Sequence, residues 1–262
     1  MKTNRSIING LVVCAVALAM ASTLTAQTVA QVKARVVRIQ GYARFTSGNN
    51  VWQKLKIGEM LRAGTIIQTS LEKGSFVDLV LEGGAGGASA AAVGAKLFYQ
   101  PNAQQNVVRL WENTLLGLDK LTSMETGADV VTETELDLKA GRILGSVKKL
   151  SAASSYNIKL PNGIAGIRGT VFSISADGSV KVSSGMVVIA FVSADGKAAA
   201  NKVEAGQQFD PRAEPGSQIT PLSGPDVQGM LNPSPPLTIP TGPSTRTPGV
   251  DQTIYPVSPV GN

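Results

Sequence analysis

Glu133, Glu135 and Asp137 alternate along one stretch of the chain, with Asp129 just ahead of them. At a spacing of two, such residues share one face of a strand. There a carboxylate pair can act as acid and base, and a trio can hold calcium. A row of solvated acids along a strand is the commoner outcome. The rest of the usual reactive inventory is missing from the sequence. It has no histidine and one cysteine, Cys14, which falls inside an apolar leader. Ser-His-Asp and Cys-His catalysis and the common zinc sites are thereby excluded. Ser154-Ser155 near Lys159 does not form a Ser-x-x-Lys site, and no phosphate loop, dinucleotide fingerprint or calcium loop is written in the chain. No catalytic, cofactor-binding or metal-ligating residue is assigned, and the chain reads as a non-enzyme.

A second group of residues stands out by interruption. From Pro161 to Ile174 an apolar strand pattern is broken by glycines, Arg168 and Thr170. Glycine in such a pattern marks a bulge or a close backbone approach. Arg168 falls in step with Thr170, Phe172 and Ile174 along the alternation. A buried arginine is costly unless paired and hydrogen-bonded. Arg168 is therefore expected at a strand end, capped by carbonyls or by Asp177 or Glu204, or else lining a groove that takes an anionic partner; the flanking Gly166 and Gly169 favour the first. Thr170 reads as a satisfied strand hydroxyl. Trp52 and Trp111 read as core or rim aromatics, with an exposed pair that grips a sugar face as the alternative.

The elements that would carry these residues are strands. Val32 to Phe45, Ile66 to Thr69, Phe76 to Leu81, Val107 to Trp111, Leu136 to Val147, Phe172 to Val182 and Met186 to Val192 are strand-like, separated by glycine turns. Leu115, Leu116, Leu118 and Leu121 would line either a short helix or a hairpin. The reading is an all-β domain over 31–209, a multi-stranded sandwich or a short solenoid-like body. A Gly/Ala-rich tract begins at Gly83, and 83–129 is read as an insertion with loops. Twelve of the fourteen prolines fall between Pro211 and Pro259. Since proline removes ladder donors, 210–262 is read as a disordered tail, neither central strand nor helix.

Residues 1–26 have the layout of a secretory signal: Lys2 and Arg5, an apolar run from Ile7 to Ala21, and small residues at Leu24-Thr25-Ala26. The expected mature protein is exported to the periplasm, cell surface or medium, with no permanent membrane span. Lys2 and Arg5 account for two of the six net positive charges. The longest basic run is Lys148-Lys149 and aromatics are sparse, so nucleic acid is not an expected partner.

Two blocks resemble the FecR domain family. The first, from Ala34 to Leu81, has Trp52, Leu55, Gly58, Leu61, Gly64, Ile66 and Thr69 and is similar to the family's L-x-x-G-x-x-L-x-x-G-x-x-I-x-T run. The second, from Leu136 to Gln207, contains Arg168-Gly169-Thr170-x-Phe172, then Val180-x-Val182, Gly185-x-Val187 and Ala205-Gly206-Gln207. Leu160 stands where the family usually has threonine. The resemblance implies a periplasmic sensing or relay module that is not an enzyme. It carries Arg168, Gly169, Thr170 and Phe172 as structural or interaction residues. The expected partner is an envelope protein or cell-wall component. The alternatives are a carbohydrate-active hydrolase using Glu133, Glu135 or Asp137 across a cleft from Trp111, and a periplasmic subunit for a membrane-bound regulator.

Overall fold

The computed structural model describes residues 29–49, 51–82, 91–93, 96–98, 106–127, 129–192 and 196–237. The expected signal segment, much of the Gly/Ala-rich tract and the tail beyond 237 lie outside these residues. The all-β expectation holds. The strands are β1 (Val29–Gln31), β2 (Lys33–Gln40), β3 (Ala43–Thr46), β4 (Gln53–Lys54), β5 (Met60–Leu61), β6 (Thr65–Thr69), β7 (Phe76–Glu82), β8 (Ala91–Val93) and β9 (Lys96–Phe98). They continue as β10 (Asn106–Leu110), β11 (Leu115–Glu125), β12 (Val130–Ala140), β13 (Arg142–Ser146), β14 (Ser155–Leu160), β15 (Gly163–Ser175), β16 (Val180–Val192), β17 (Ala198–Glu204), β18 (Gln207–Phe209) and β19 (Ile219–Pro221). One helix, α1 (Gly224–Leu231), follows them.

All strands except the β8–β9 hairpin belong to one sheet that curls into two arms. The first arm runs β2–β7–β10–β13 and the second β3–β6–β11–β12–β14. β15 joins them. Its first half, Gly163–Gly166, pairs with β14, and its second half, Val171–Ser175, pairs with β13. β16 follows it across, pairing with β17 through Met186–Val192 and with β18 through Val180–Val182. Strands that switch layers through a bulge are how sandwich corners are made. The inner faces of the two arms share one core. Val36, Leu79, Leu110, Ile143 and Phe172 come from one side, and Ile67, Leu116, Leu136, Ile158 and Ala165 from the other. Period-two alternation puts these residues inward and their neighbours outward, as the pattern along β12 and β14 shows.

One expectation changes and one open alternative is decided. The stretch 106–129 is not an insertion: β10 lies in the middle of the first arm, between β7 and β13, and β11 lies in the middle of the second. Of the helix and the hairpin left open for the leucines of β11, the hairpin is found: β11 pairs antiparallel with β12, and Leu116, Leu118 and Leu121 all reach the core from an extended backbone with register shifts at Leu115/Leu116 and Leu118/Lys120.

The proline-rich segment also has order in its first half. Residues 219–221 pair with β18, and α1 forms where proline count alone spoke against a helix. The local reason is a complete start signal. The Ser223 hydroxyl accepts from the Asp226 N–H at 3.2 Å, a proline sits in the first turn, where its missing N–H costs nothing, and Asp226 supplies the acid of that turn. Leu222, Met230 and Leu237 then pack on the outer face of the first arm, against Val80, Val107, Leu144, Val37 and Trp111. Residues 222–237 thus form a strap over that face.

Candidate functional site

The Arg168-Gly169-Thr170 run is the corner at which β15 changes arms. Ala165 and Ile167 point inward on one side of it and Thr170, Phe172 and Ile174 on the other, so two residues, Arg168 and Gly169, sit between successive inward positions. The bulge resets the alternation. Arg168, which a continuous alternation would bury, is instead exposed, and it caps nothing through Asp177 or Glu204. Those two pair with Arg212 and with Lys202, the latter at 2.7 Å. Gly169 takes φ +62°, the left-handed value that glycine tolerates without cost.

Thr170 is a satisfied hydroxyl, as expected, but it does more than fill a strand position. Its Oγ1 accepts from the Met186 N–H at 3.1 Å and donates to the Met186 carbonyl at 2.8 Å. Its own N–H donates to Val147 O and its carbonyl accepts from Val147 N–H. One residue therefore ties β13, β15 and β16. Gly185 faces it so closely that a Cβ there would lie 2.2 Å from Gly169 O. Phe172 is fully buried, and its ring fills the space that a side chain at Gly145 would occupy. These residues are architecture, and only Arg168 presents a group to solvent.

The acidic row faces outward on β12. Glu133 pairs with Lys120, Glu135 with Lys159 at 3.1 Å, and Asp137 with Lys139. Lys159 also reaches Asp119 at 3.0 Å. The lysines respond to their partners: hydrogen bonding to Glu133 raises the pKa of Lys120, and hydrogen bonding to Asp119 and then Glu135 raises that of Lys159. Trp111 lies under the strap on the other arm. The cleft required for a hydrolase, with these acids opposite Trp111, is not formed, and no cluster of possible metal ligands occurs among the described residues.

Trp52 and Trp111 do not make an exposed pair. Trp52 is 38 % exposed on the second arm, with the Arg44 guanidinium 4.6 Å above its ring. Arg44 also donates to Gln68 at 2.9 Å, and beside it Tyr42, Gln68, Ser70 and Leu71 line a shallow groove of ≈ 230 Å³.

The most elaborate polar site was not foreseen. Asp78 of β7 and Arg109 of β10 face each other in the ladder and are both fully buried. Arg109 Nε donates to Asp78 Oδ1 at 2.7 Å and Nη2 to Oδ2 at 2.8 Å, a two-point fork. Nη1 donates to the Pro235 carbonyl at 2.6 Å. The guanidinium also lies 4.4 Å from the Phe76 ring and 5.3 Å from that of Trp111. Arg38 adds a donor to the Pro236 carbonyl at 3.0 Å and approaches Asp78 at 3.6 Å. Burial raises the pKa of Asp78, against the lowering effect of Arg109 and then Arg38. A charge of each sign in two otherwise apolar runs, Phe76–Leu81 and Val107–Leu110, was the available signal.

Residues 100–188 match the family model described as FecR protein. The chain carries a FecR domain. The match begins just before β10 and ends within β16, so it takes in the Arg168-Gly169-Thr170 corner and residues 100–129 of the stretch first read as an insertion. The block from Ala34 to Leu81 lies outside it. No curated protein matches the chain. Arg109 and Trp111 belong to the FecR domain, whereas the strap that covers them lies beyond its matched end.

Proposed function

We propose that this chain is a non-catalytic binding protein of the bacterial envelope, whose FecR domain engages an envelope protein or cell-wall component in a signalling or regulatory role. The FecR match over 100–188 carries the reading. Two features of the site support it. The signature residues Gly169, Thr170 and Phe172 are used to turn and pack a strand, and the carboxylates of β12 are neutralised by lysines in a row open to water. A partner held by side chains at a sheet face or by a sheet edge fits such a body. Export follows from the leader-like first residues. No helix among the described residues is long and apolar enough to cross a membrane. A membrane-bound regulator is one form the partner can take.

Fractionation of the native cell followed by cross-linking of the mature protein to its neighbours tests this. Recovery in the envelope fraction with one reproducible partner is the expected result. Recovery in the cytoplasm, or glycan turnover that is lost in the Glu133→Gln, Glu135→Gln, Asp137→Asn triple variant, would overturn it.

A further inference from the structure

The strap displays what the face beneath it recognises. Two successive prolyl carbonyls, of Pro235 and Pro236, accept from guanidinium forks, while Met230 and Leu237 on either side fill apolar positions among Val80, Val107 and Leu144. Proline favours an extended backbone and leaves its carbonyl free of helix or ladder duty. The face thus accepts a proline-bearing segment through two main-chain acceptors flanked by two apolar anchors, Met230 at the end of α1 and Leu237 beyond it.

Two observations say that the face does not need the strap to exist. The charge at its centre is already matched: Asp78 holds Arg109 at two points from within the ladder, so lifting the strap strands no unpaired charge. Only Leu222, Pro233, Met230 and Leu237 of residues 222–237 are buried, so the cover is held by few anchors.

A third observation says what the strap fails to satisfy. Among the described side chains, Arg38 and Arg109 share the carboxylate of Asp78, and Arg142 stacks 5.3 Å from Trp111 with no carboxylate partner. The strap's one acid, Asp226, is taken up by Lys181 at 3.0 Å, and Val227 to Leu237 carry none. Positive charge is left over at the groove when the strap is seated.

We infer that the outer face of β7–β10–β13 is a peptide-binding groove which the chain's own residues 230–237 occupy, and that a proline-bearing segment of a partner chain with an acidic residue beside its prolines displaces them. This rests on the reading of the chain as a binding module and specifies the kind of partner segment. Complementary charge gives the incoming segment its advantage over a tethered competitor.

The test uses the full chain in a Trp52→Phe background, leaving Trp111, which sits in the groove, as the reporter. Met230→Asn with Leu237→Asn unseats the strap without adding an acid beside the prolines. A synthetic peptide of residues 222–237 is then added, and separately the same peptide with Ser234→Glu. The expected results are a saturable Trp111 response in the unseated chain, binding about tenfold tighter for the glutamate peptide, and binding at least about tenfold weaker when the strap is intact. A folded, unseated chain whose Trp111 ignores both peptides overturns the inference, as does a glutamate peptide that binds no tighter. If the unseated chain does not fold, hydrogen exchange on the wild-type protein decides. Strap amides of Val227 and Asn232 exchanging about a hundredfold faster than those of Val147 and Thr170 support an openable cover, and equal rates refute it. Peptide binding without any envelope partner in the cross-linking experiment would retain the groove and discard the proposed function; the reverse outcome would do the opposite.

Discussion

Thr170 holds Met186 by both of its main-chain polar groups, and Thr114 holds Arg142 in the same way. Thr114 Oγ1 accepts from the Arg142 N–H at 3.1 Å and donates to the Arg142 carbonyl at 3.1 Å. The residue before each threonine has positive φ, Asn113 at 55° and Gly169 at 62°. The residue before each partner is a glycine, Gly141 or Gly185, on which a Cβ would strike the threonine or its neighbour at under 3 Å. The two corners close opposite ends of β13: Arg142 is its first residue, and Val147, which pairs with Thr170, follows its last. Among the described residues the Gly169-Thr170 corner thus has a second copy at Asn113-Thr114, and both join the arms.

Thr170→Val keeps the shape and removes the hydroxyl, leaving the Met186 N–H and carbonyl without it. The expected cost is about 1–3 kcal/mol in urea unfolding, with Thr170→Ser recovering most of it. Equal stability of the valine and serine variants would show that the hydroxyl holds nothing.

Gly185→Ala forces a Cβ onto Gly169 O at a φ of +80°. Backbone opposes it on both counts, so a loss of at least about 2 kcal/mol is expected. Gly58→Ala has the strained φ but open space, and should lose less; a thermal melt of the two variants side by side checks the difference.

Tyr156 is buried with a hydroxyl that has no hydrogen-bond partner, and burial pushes its pKa upward. Tyr156→Phe removes an unsatisfied polar atom and keeps the ring. Stability should be unchanged or higher by about 1 kcal/mol, and a clear loss would reveal a partner for the hydroxyl.

Asp78→Ala leaves the Arg109 guanidinium buried and unmatched, which is expected to cost about 3–5 kcal/mol. The Asp78→Leu, Arg109→Met pair should restore much of it while loosening the strap, which then has no Arg109 fork for Pro235. Trp111 fluorescence reports the second effect independently of unfolding.

Acid should loosen the strap. The Ser223 hydroxyl and then Lys181 hold the pKa of Asp226 below its ordinary value of 3.8. A lowered carboxyl contributes its stabilisation fully above that ordinary value and loses it as pH falls through the folded-state pKa. Quenching of Trp111 should therefore rise below about pH 4, and the Asp226→Asn variant should lack this component.

The strands were legible because period-two alternation is a direct imprint of a half-buried sheet, and Val36, Leu79, Leu136 and Ile174 all lie where that alternation puts them. Arg168 was misplaced because alternation was carried through Gly169, and a single bulge inverts every assignment on its far side. The glycine was the signal; its consequence for parity was not applied. The Asp78–Arg109 pair escaped because it depends on the register between two strands far apart in the chain, which alternation within one strand does not encode. α1 escaped for a different reason. Ser223-Gly224-Pro225-Asp226 is a helix start in any other setting, but the density of prolines after it outweighed the one proline that belongs in a first turn.

The Arg38–Pro236 hydrogen bond joins residues 198 positions apart. During synthesis the strands of both arms emerge long before residue 236 does, so this node is the last to be tied and the first that a protease trimming the C-terminal end would undo. A clipped chain would keep its sandwich and expose the arginines. Loss of the chain from residue 236 onward would then alter what the surface presents without altering the fold that presents it.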